Sequence, residues 1–214
     1  MTEKERKDRI DIFLKQFNIT YNNKYPISDT TKTRVIRDAA DIAKRILILT
    51  YLNVYSEDGR KDIIIRFLKS EELWDALSNG EKILLEKDLL SDKDKIDLSW
   101  HSEVIHLMLW AINKIETLSL PTEQCEIREM LKLLPPYFKS TKEFVQKATT
   151  RSSKEISDMA DFIDKLYWAI RQEEQLGEGE IPFDIDSNIL EERYYGINWI
   201  TFPEDNWDDI TMNK

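Results

Sequence analysis

The sequence predicts an all-α fold: a single globular multi-helix domain of about eight to ten helices packed around a central buried helix. Three observations carry this. No segment of useful length alternates apolar and polar residues with period two. Only five glycines and six prolines interrupt 214 residues, which favours long helices over many short strands joined by turns. Capping boxes of the form Ser/Thr-x-x-Glu, at Thr2, Ser78, Ser140 and Ser152, stand ahead of runs with helical spacing. An apolar content of 41%, with six Trp, eight Tyr and eight Phe, is enough for a packed core and argues against a disordered chain.

The first helix is expected to start at the Thr2 box, with Ile10, Phe13, Leu14 and Phe17 on one face; together with the loop around Pro26 it forms an N-terminal segment 1–30. A second helix is expected from about Thr33 to Val54, ending in the turn Ser56-Glu57-Asp58-Gly59. Shorter helices are predicted at 61–70 and 79–89, followed by a hydrophilic loop from Ser91 to Asp97. Pro121-Thr122 reads as a helix start, Pro135-Pro136 as its stop, and Ser140 as the cap of a further helix. A long helix opens at Ser152 and ends at Gly177; a last one spans about 187–201, leaving 202–214 as an acidic C-terminal tail. Arg37-x-x-x-x-Ile42 and Arg151-x-x-x-x-Ile156 sit at helix starts in similar settings, a faint sign of duplication on which two matched positions allow nothing to be built.

The central helix is predicted over 99–118, with Ser99 as cap. Val104, Leu107, Ala111, Ile112 and Ile115 share one face, and Leu109 and Trp110 carry apolar surface most of the way round. A helix apolar on nearly every side is buried. Glu103 falls between Trp110 and Leu107, where a charge needs a partner. Arg193 has the complementary problem among Ile189, Gly196, Ile197 and Ile200. A buried ion pair is therefore expected between Arg193 and Glu103, with Asp208 or Asp209 as second choice.

The net charge of −10 is segregated: residues 173–214 hold twelve acidic side chains against Arg193 and Lys214, and the first 172 residues are balanced. That surface disfavours nucleic acid or an anionic membrane and suits a basic protein partner. Helix 33–54 offers only Arg34, Arg37, Lys44 and Arg45, offset by Asp38 and Asp41, which is no basic stripe. Trp168, projecting among Asp161 and Asp164, is a candidate contact for a basic partner. Cys125 alone excludes an internal disulfide and fits a reducing compartment. The N-terminal residues lack the apolar core of a signal peptide, and runs such as Ile46–Leu49 are too short to span a bilayer, so a soluble, cytoplasmic protein is expected.

Chemistry is sparse. His101 and His106 lie about 140° apart on a helix and cannot converge on zinc as a His-Glu-x-x-His helix does. Glu103-x-x-His106 has the spacing of half a di-iron site, but a second half is missing. Asp92, Asp94 and Glu103 fit three positions of a calcium loop that Ile96 and Asp97 then break. Cys125, between Glu123 and Glu126, has acids that raise its pKa. No metal site and no cofactor are expected. The reading is a non-enzymatic binding protein, in one version an immunity-type protein masking a basic partner. The alternative is an enzyme whose open pocket joins Glu103, Arg193, Asp208 and Asp209.

The order and spacing of several short pieces resemble a known family. They are Arg37 with Asp41-Ile42-Ala43 and Arg45, Leu73-Trp74 through Glu81, Trp100-x-x-Glu103, and Leu109-Trp110-Ala111. They continue with Pro121 and Cys125, Arg151-Ser152 with Glu155-Ile156 and Asp161, Trp168-Ala169, Glu192-Arg193, Asn198-Trp199 and Trp207-Asp208-Asp209. In these the chain is similar to the bacterial domain-of-unknown-function family 4272, from about Arg34 to Asp209. It departs at Asp164–Tyr167, where a Tyr-Arg pair and a His are expected, and at Thr211–Lys214, which lacks an Asp-Thr pair. The resemblance implies a soluble helical protein and brings no activity or site residues with it.

Overall fold

The computed structural model describes residues 34–176 and 185–211 (for 172–176 the backbone alone), together with Asp8, Asp11, Ile12 and Lys15. Among the described residues there are eight α-helices and no strand, packed in one domain. They are α1 (Ala39–Asp58), α2 (Lys61–Ser70), α3 (Asn79–Glu86), α4 (Asp92–Ala111), α5 (Ile127–Met130), α6 (Lys142–Gln146), α7 (Ser153–Leu176) and α8 (Ser187–Thr201). Single 3-10 turns form at Trp74–Ala76, Leu131–Leu133 and Trp207–Asp209.

Four long helices make the body. α4 packs most extensively against α1 and α8, and α7 packs on α8, giving the order α1, α4, α8, α7. Val104, Ile105, Leu107, Met108, Leu109 and Ala111 of α4 have no exposed surface, as expected of a helix apolar on nearly all sides. α1 is buried almost throughout from Ile42 to Tyr55. Asp11, from the N-terminal segment, pairs with Lys165 of α7 at 3.1 Å; the rest of the first predicted helix lies outside the described residues.

Helix ends follow local capping chemistry more closely than the apolar pattern. α1 starts at Ala39, later than expected, because the Asp38 carboxylate takes the Ala40 amide. It ends on Gly59 at φ 67°, a left-handed position that glycine adopts without strain. α4 starts at Asp92, because Ser91 and Asp94 form a reciprocal capping box; the segment expected to be a loop is helical. The Ser78/Glu81 box forms as expected. So does Ser152/Glu155, through bonds of 3.1 and 3.2 Å.

Two starts differ. Pro121-Thr122 opens a turn, and only Ile127–Leu133 is helical before the prolines. The Ser140 box does not form, because Glu71 of the α2 end accepts from the Thr141 amide (2.6 Å) and hydroxyl (2.9 Å), while Glu143 pairs with Lys147. A tertiary carboxylate replaces the local one. The C-terminal residues 202–211 are also no loose tail, since Trp207 and Ile210 are buried in the core.

The two Arg-x-x-x-x-Ile segments turn out to do the same thing. Arg37, just ahead of α1, donates from its amide to Ile200 O (2.9 Å) and from Nε to Trp199 O (3.0 Å). Its Nη2 reaches Phe202 O and Asp205 O. Arg151, just ahead of α7, donates from its amide to Ala111 O (2.8 Å) and from Nε to Trp110 O (2.8 Å). Its Nη2 reaches Ile115 O and Glu116 O. Each guanidinium lies over the tryptophan whose carbonyl it binds, 3.9 Å from the Trp199 ring and 4.8 Å from that of Trp110. Thus α1 begins on the C-terminal end of α8, and α7 begins on the C-terminal end of α4. The halves α1–α4 and α7–α8 repeat one arrangement and exchange their caps.

Gly196 marks the closest approach of the two central helices. A Cβ there would lie 3.0 Å from Val104 Cγ1 and 3.1 Å from Leu107 Cδ2, so α8 meets α4 through its backbone. A mid-helix glycine costs about 1 kcal/mol against alanine, and close packing offsets it. Gly196→Val is expected to lower stability by about 2 kcal/mol through overpacking; an unchanged urea midpoint would contradict this contact.

Candidate functional site

Glu103 and Arg193 meet as the sequence suggested. Arg193 donates from Nε to Glu103 Oε2 (2.9 Å) and its Nη2 lies 2.8 Å from the same oxygen, with the side chains 2% and 0% exposed. Nη1 of Arg193 donates to Ser119 O, and Nη2 also reaches Ser119 Oγ, so the pair holds the loop that follows α4. The other carboxylate oxygen, Oε1, accepts the Cys125 amide at 2.6 Å. Two helices and a loop are therefore tied to one buried carboxylate.

Asp208 and Asp209 do not join them, and the enzyme reading that needed all four in one open pocket loses its constellation. Asp208 accepts from the Gly80 amide (2.9 Å), tethering the C-terminal segment to the start of α3. Asp209 accepts from Asn206 Nδ2 (2.7 Å). The physical reason is burial: exposed carboxylates need no cation, whereas Glu103 and Arg193 have no water to turn to.

Both aspartates instead line a cleft of about 430 Å³ between the start of α1, the Trp74–Asn79 turn and residues 203–209. Its carboxylates are Asp41, Asp75, Glu204, Asp205, Asp208 and Asp209, against Arg37, Lys44 and Arg45. Arg37 is committed to backbone carbonyls, and Arg45 donates to both oxygens of buried Glu81 (2.6 and 2.7 Å) and to Ala76 O. Arg45 also lies 4.7 Å from the Trp207 ring. Lys44 is 3.6 Å from Asp41. The cleft thus has a rigid aromatic and arginine floor and an acidic rim.

On α7, Asp161 is buried and pairs with Arg34 at 2.9 Å. Asp164 accepts from the Trp168 indole and Tyr194 hydroxyl, and burial raises its pKa. Trp168 is half-buried against the core and edge-on to Tyr167. The set is drawn into the packing around α7 and α8, away from the cleft.

A second concavity, about 510 Å³, lies beside the ion pair and is lined by His106, Ser119, Cys125 and the acids Glu123, Glu126 and Glu129. The Cys125 thiol donates to Ser102 O at 3.3 Å. Its pKa is pushed up first by burial and then by Glu103, so the sequence reading had the direction right and the responsible acid wrong. Burial and the Arg193 charge lower the pKa of His106. Donor atoms of Glu103, His106 and Cys125 lie within 4.8 Å of one another. The sequence spacing alone hid this, because Cys125 comes from the loop, 22 residues beyond Glu103.

Removing one side of the pair strands the other. Arg193→Met is expected to cost about 3–5 kcal/mol in urea unfolding, and the double variant Arg193→Met/Glu103→Leu less than that single change. Equal costs would mean the charges do not depend on each other.

Glu192, the neighbour of Arg193, is raised to about 7 by burial, with Glu191, Asp97 and Glu103 adding repulsion. Its ordinary value is 4.5, so between these values the folded state holds a proton that the unfolded state lacks. Stability therefore falls as pH rises from about 4.5 to about 7 and is flat above. Glu192→Gln removes this loss, on the order of 2 kcal/mol once its partial exposure is discounted. The variant should melt higher than the parent at about pH 8 and at nearly the same temperature at about pH 4; a pH-independent difference would exclude Glu192 as the source.

No helix among the described residues is long and apolar enough to cross a membrane. No curated protein and no solved structure matches the chain. The model of one family, a domain of unknown function (DUF4272), matches residues 6–210. With nearly its whole length covered, the chain belongs to the DUF4272 family.

Proposed function

We propose that this is a cytoplasmic, non-enzymatic binding protein whose acidic cleft takes a lysine or arginine side chain of a basic protein partner. The observation that carries this is the charge of the cleft: six carboxylates line it, and of its three cations Arg37 and Arg45 are already bound within the fold. A cationic side chain entering there meets carboxylates on three sides and the edge of an aromatic floor. The segregation of negative charge into residues 173–214 supplies a long-range field of the same sign. Arg34, Arg37, Lys44 and Arg45 are engaged by Asp161, backbone carbonyls, Asp41 and Glu81, which supports a protein partner over nucleic acid. The single cysteine fits a reducing cytoplasm. An immunity-type role, in which the acidic face masks the basic surface of a toxic partner, is the specific version of this reading.

The test is capture from native lysate on the immobilised chain at low and at high salt. A basic protein should be recovered at low salt and be weakened at least about tenfold by high salt. The variant Asp75→Asn/Glu204→Gln, altering two rim carboxylates, should lose it. Recovery of no basic protein above background at low salt, or equal recovery by the variant, would overturn the proposal.

A further inference from the structure

We propose that Glu103, His106 and Cys125 form a binding site for a divalent transition metal, zinc above others, at the inner wall of the second concavity. It is independent of the acidic cleft and shares no residue with it. The donor set suits that ion: one thiolate, one imidazole and one carboxylate is a mixed soft and borderline set that hard magnesium or calcium avoids. Three protein ligands with one side facing a cavity is also the arrangement that leaves zinc a fourth position for water or another ligand.

The geometry supports it on four points. First, the three donor atoms lie within 4.8 Å of one another, against separations of about 3.3–3.8 Å in tetrahedral zinc, and Cys125 is on a loop rather than a helix. Second, Nδ1 of His106 is shut off from solvent and has no hydrogen-bond partner, so no bond through it has to be given up on ligation. Third, Glu103 offers about four lone-pair directions. Arg193 occupies Oε2 and the Cys125 amide takes one direction on Oε1, leaving Oε1 with acceptor capacity to spare. Fourth, Arg193, itself anchored on Ser119, fixes the carboxylate from behind, as outer-shell partners of metal ligands do.

The Arg193 charge is felt at His106 and Cys125 and opposes a cation, while Glu123, Glu126 and Glu129 around the concavity outweigh Lys132 and favour one. Binding converts the Cys125 thiol to a thiolate and releases its proton to solvent. No redox change is involved. Glu103 and His106, one turn apart on α4, are the rigid part of the site; Cys125 closes it from the loop that Glu103 already holds.

The experiment titrates the full chain, first stripped with a chelator, with zinc by calorimetry and with cobalt(II) by absorption. One zinc per chain is expected, and cobalt should show a thiolate-to-metal charge-transfer band. Cys125→Ser should abolish the band, and Cys125→Ser and His106→Gln should each weaken zinc at least about tenfold. Both side chains are half-buried at the cavity wall, so the variants keep the core intact, and the cobalt spectrum of the unaltered chain decides the matter without them. Absence of the band, or zinc binding unchanged in both variants, would overturn the site.

Discussion

Two charges with no route to water, 90 residues apart in sequence, dictate how α4 and α8 meet. An unpaired carboxylate or guanidinium in such surroundings is so costly that the fold is admissible only if they find each other. Once they do, their remaining hydrogen-bonding capacity is spent on the chain around them. Arg193 fixes Ser119, and Glu103 fixes the Cys125 amide. The irregular stretch after α4 has little helix of its own to hold it, and this carboxylate and guanidinium supply its anchorage. Gly196 lets the helices approach closely beside the pair, so packing and electrostatics act on the same interface.

The same economy of cations recurs across the molecule. Arg37, Arg45, Arg151 and Arg193 each end on a helix terminus, a buried carboxylate or a loop carbonyl. Arginine suits this because its planar fork satisfies several acceptors at once. The charge of these four arginines is therefore turned inward, where it fastens elements together. The carboxylates at the rim of the cleft are left facing outward, four of the six supplied by the acidic segment Glu204–Asp209.

Periodicity made the long helices legible: α2, α3 and α8 start where expected, and the buried character of α4 follows from its apolar wheel. The Glu103–Arg193 pair was legible too, because two charges on apolar faces pose the same problem and solve it together. What the sequence hid was set by contacts between distant residues. At the Ser140 box, the Ser140 hydroxyl and the Thr141 amide go to Glu71 instead. The helix start read at Pro121 became a turn, and the Ser91 cap was masked by the polar run it begins. Asp208 was misplaced because nothing in its neighbours announces that Gly80 presents a bare amide to it. Cys125 stayed invisible as a partner of His106 because a loop, with no period to read, delivers it.

The exchanged caps of Arg37 and Arg151 make α4 and α8 counterparts. Trp110 stands for Trp199, and Glu103 stands for Glu192, each seven residues before its tryptophan. The two halves differ at this point. Arginine occupies position 193, where the other half has Val104, and neutralises one carboxylate, while the other is left holding a proton near neutrality. His106 and Cys125 belong to one half alone: Tyr195 is the counterpart of the histidine, and the chain has no second cysteine. The differences between the halves therefore gather around Glu103, where Arg193, His106 and Cys125 meet.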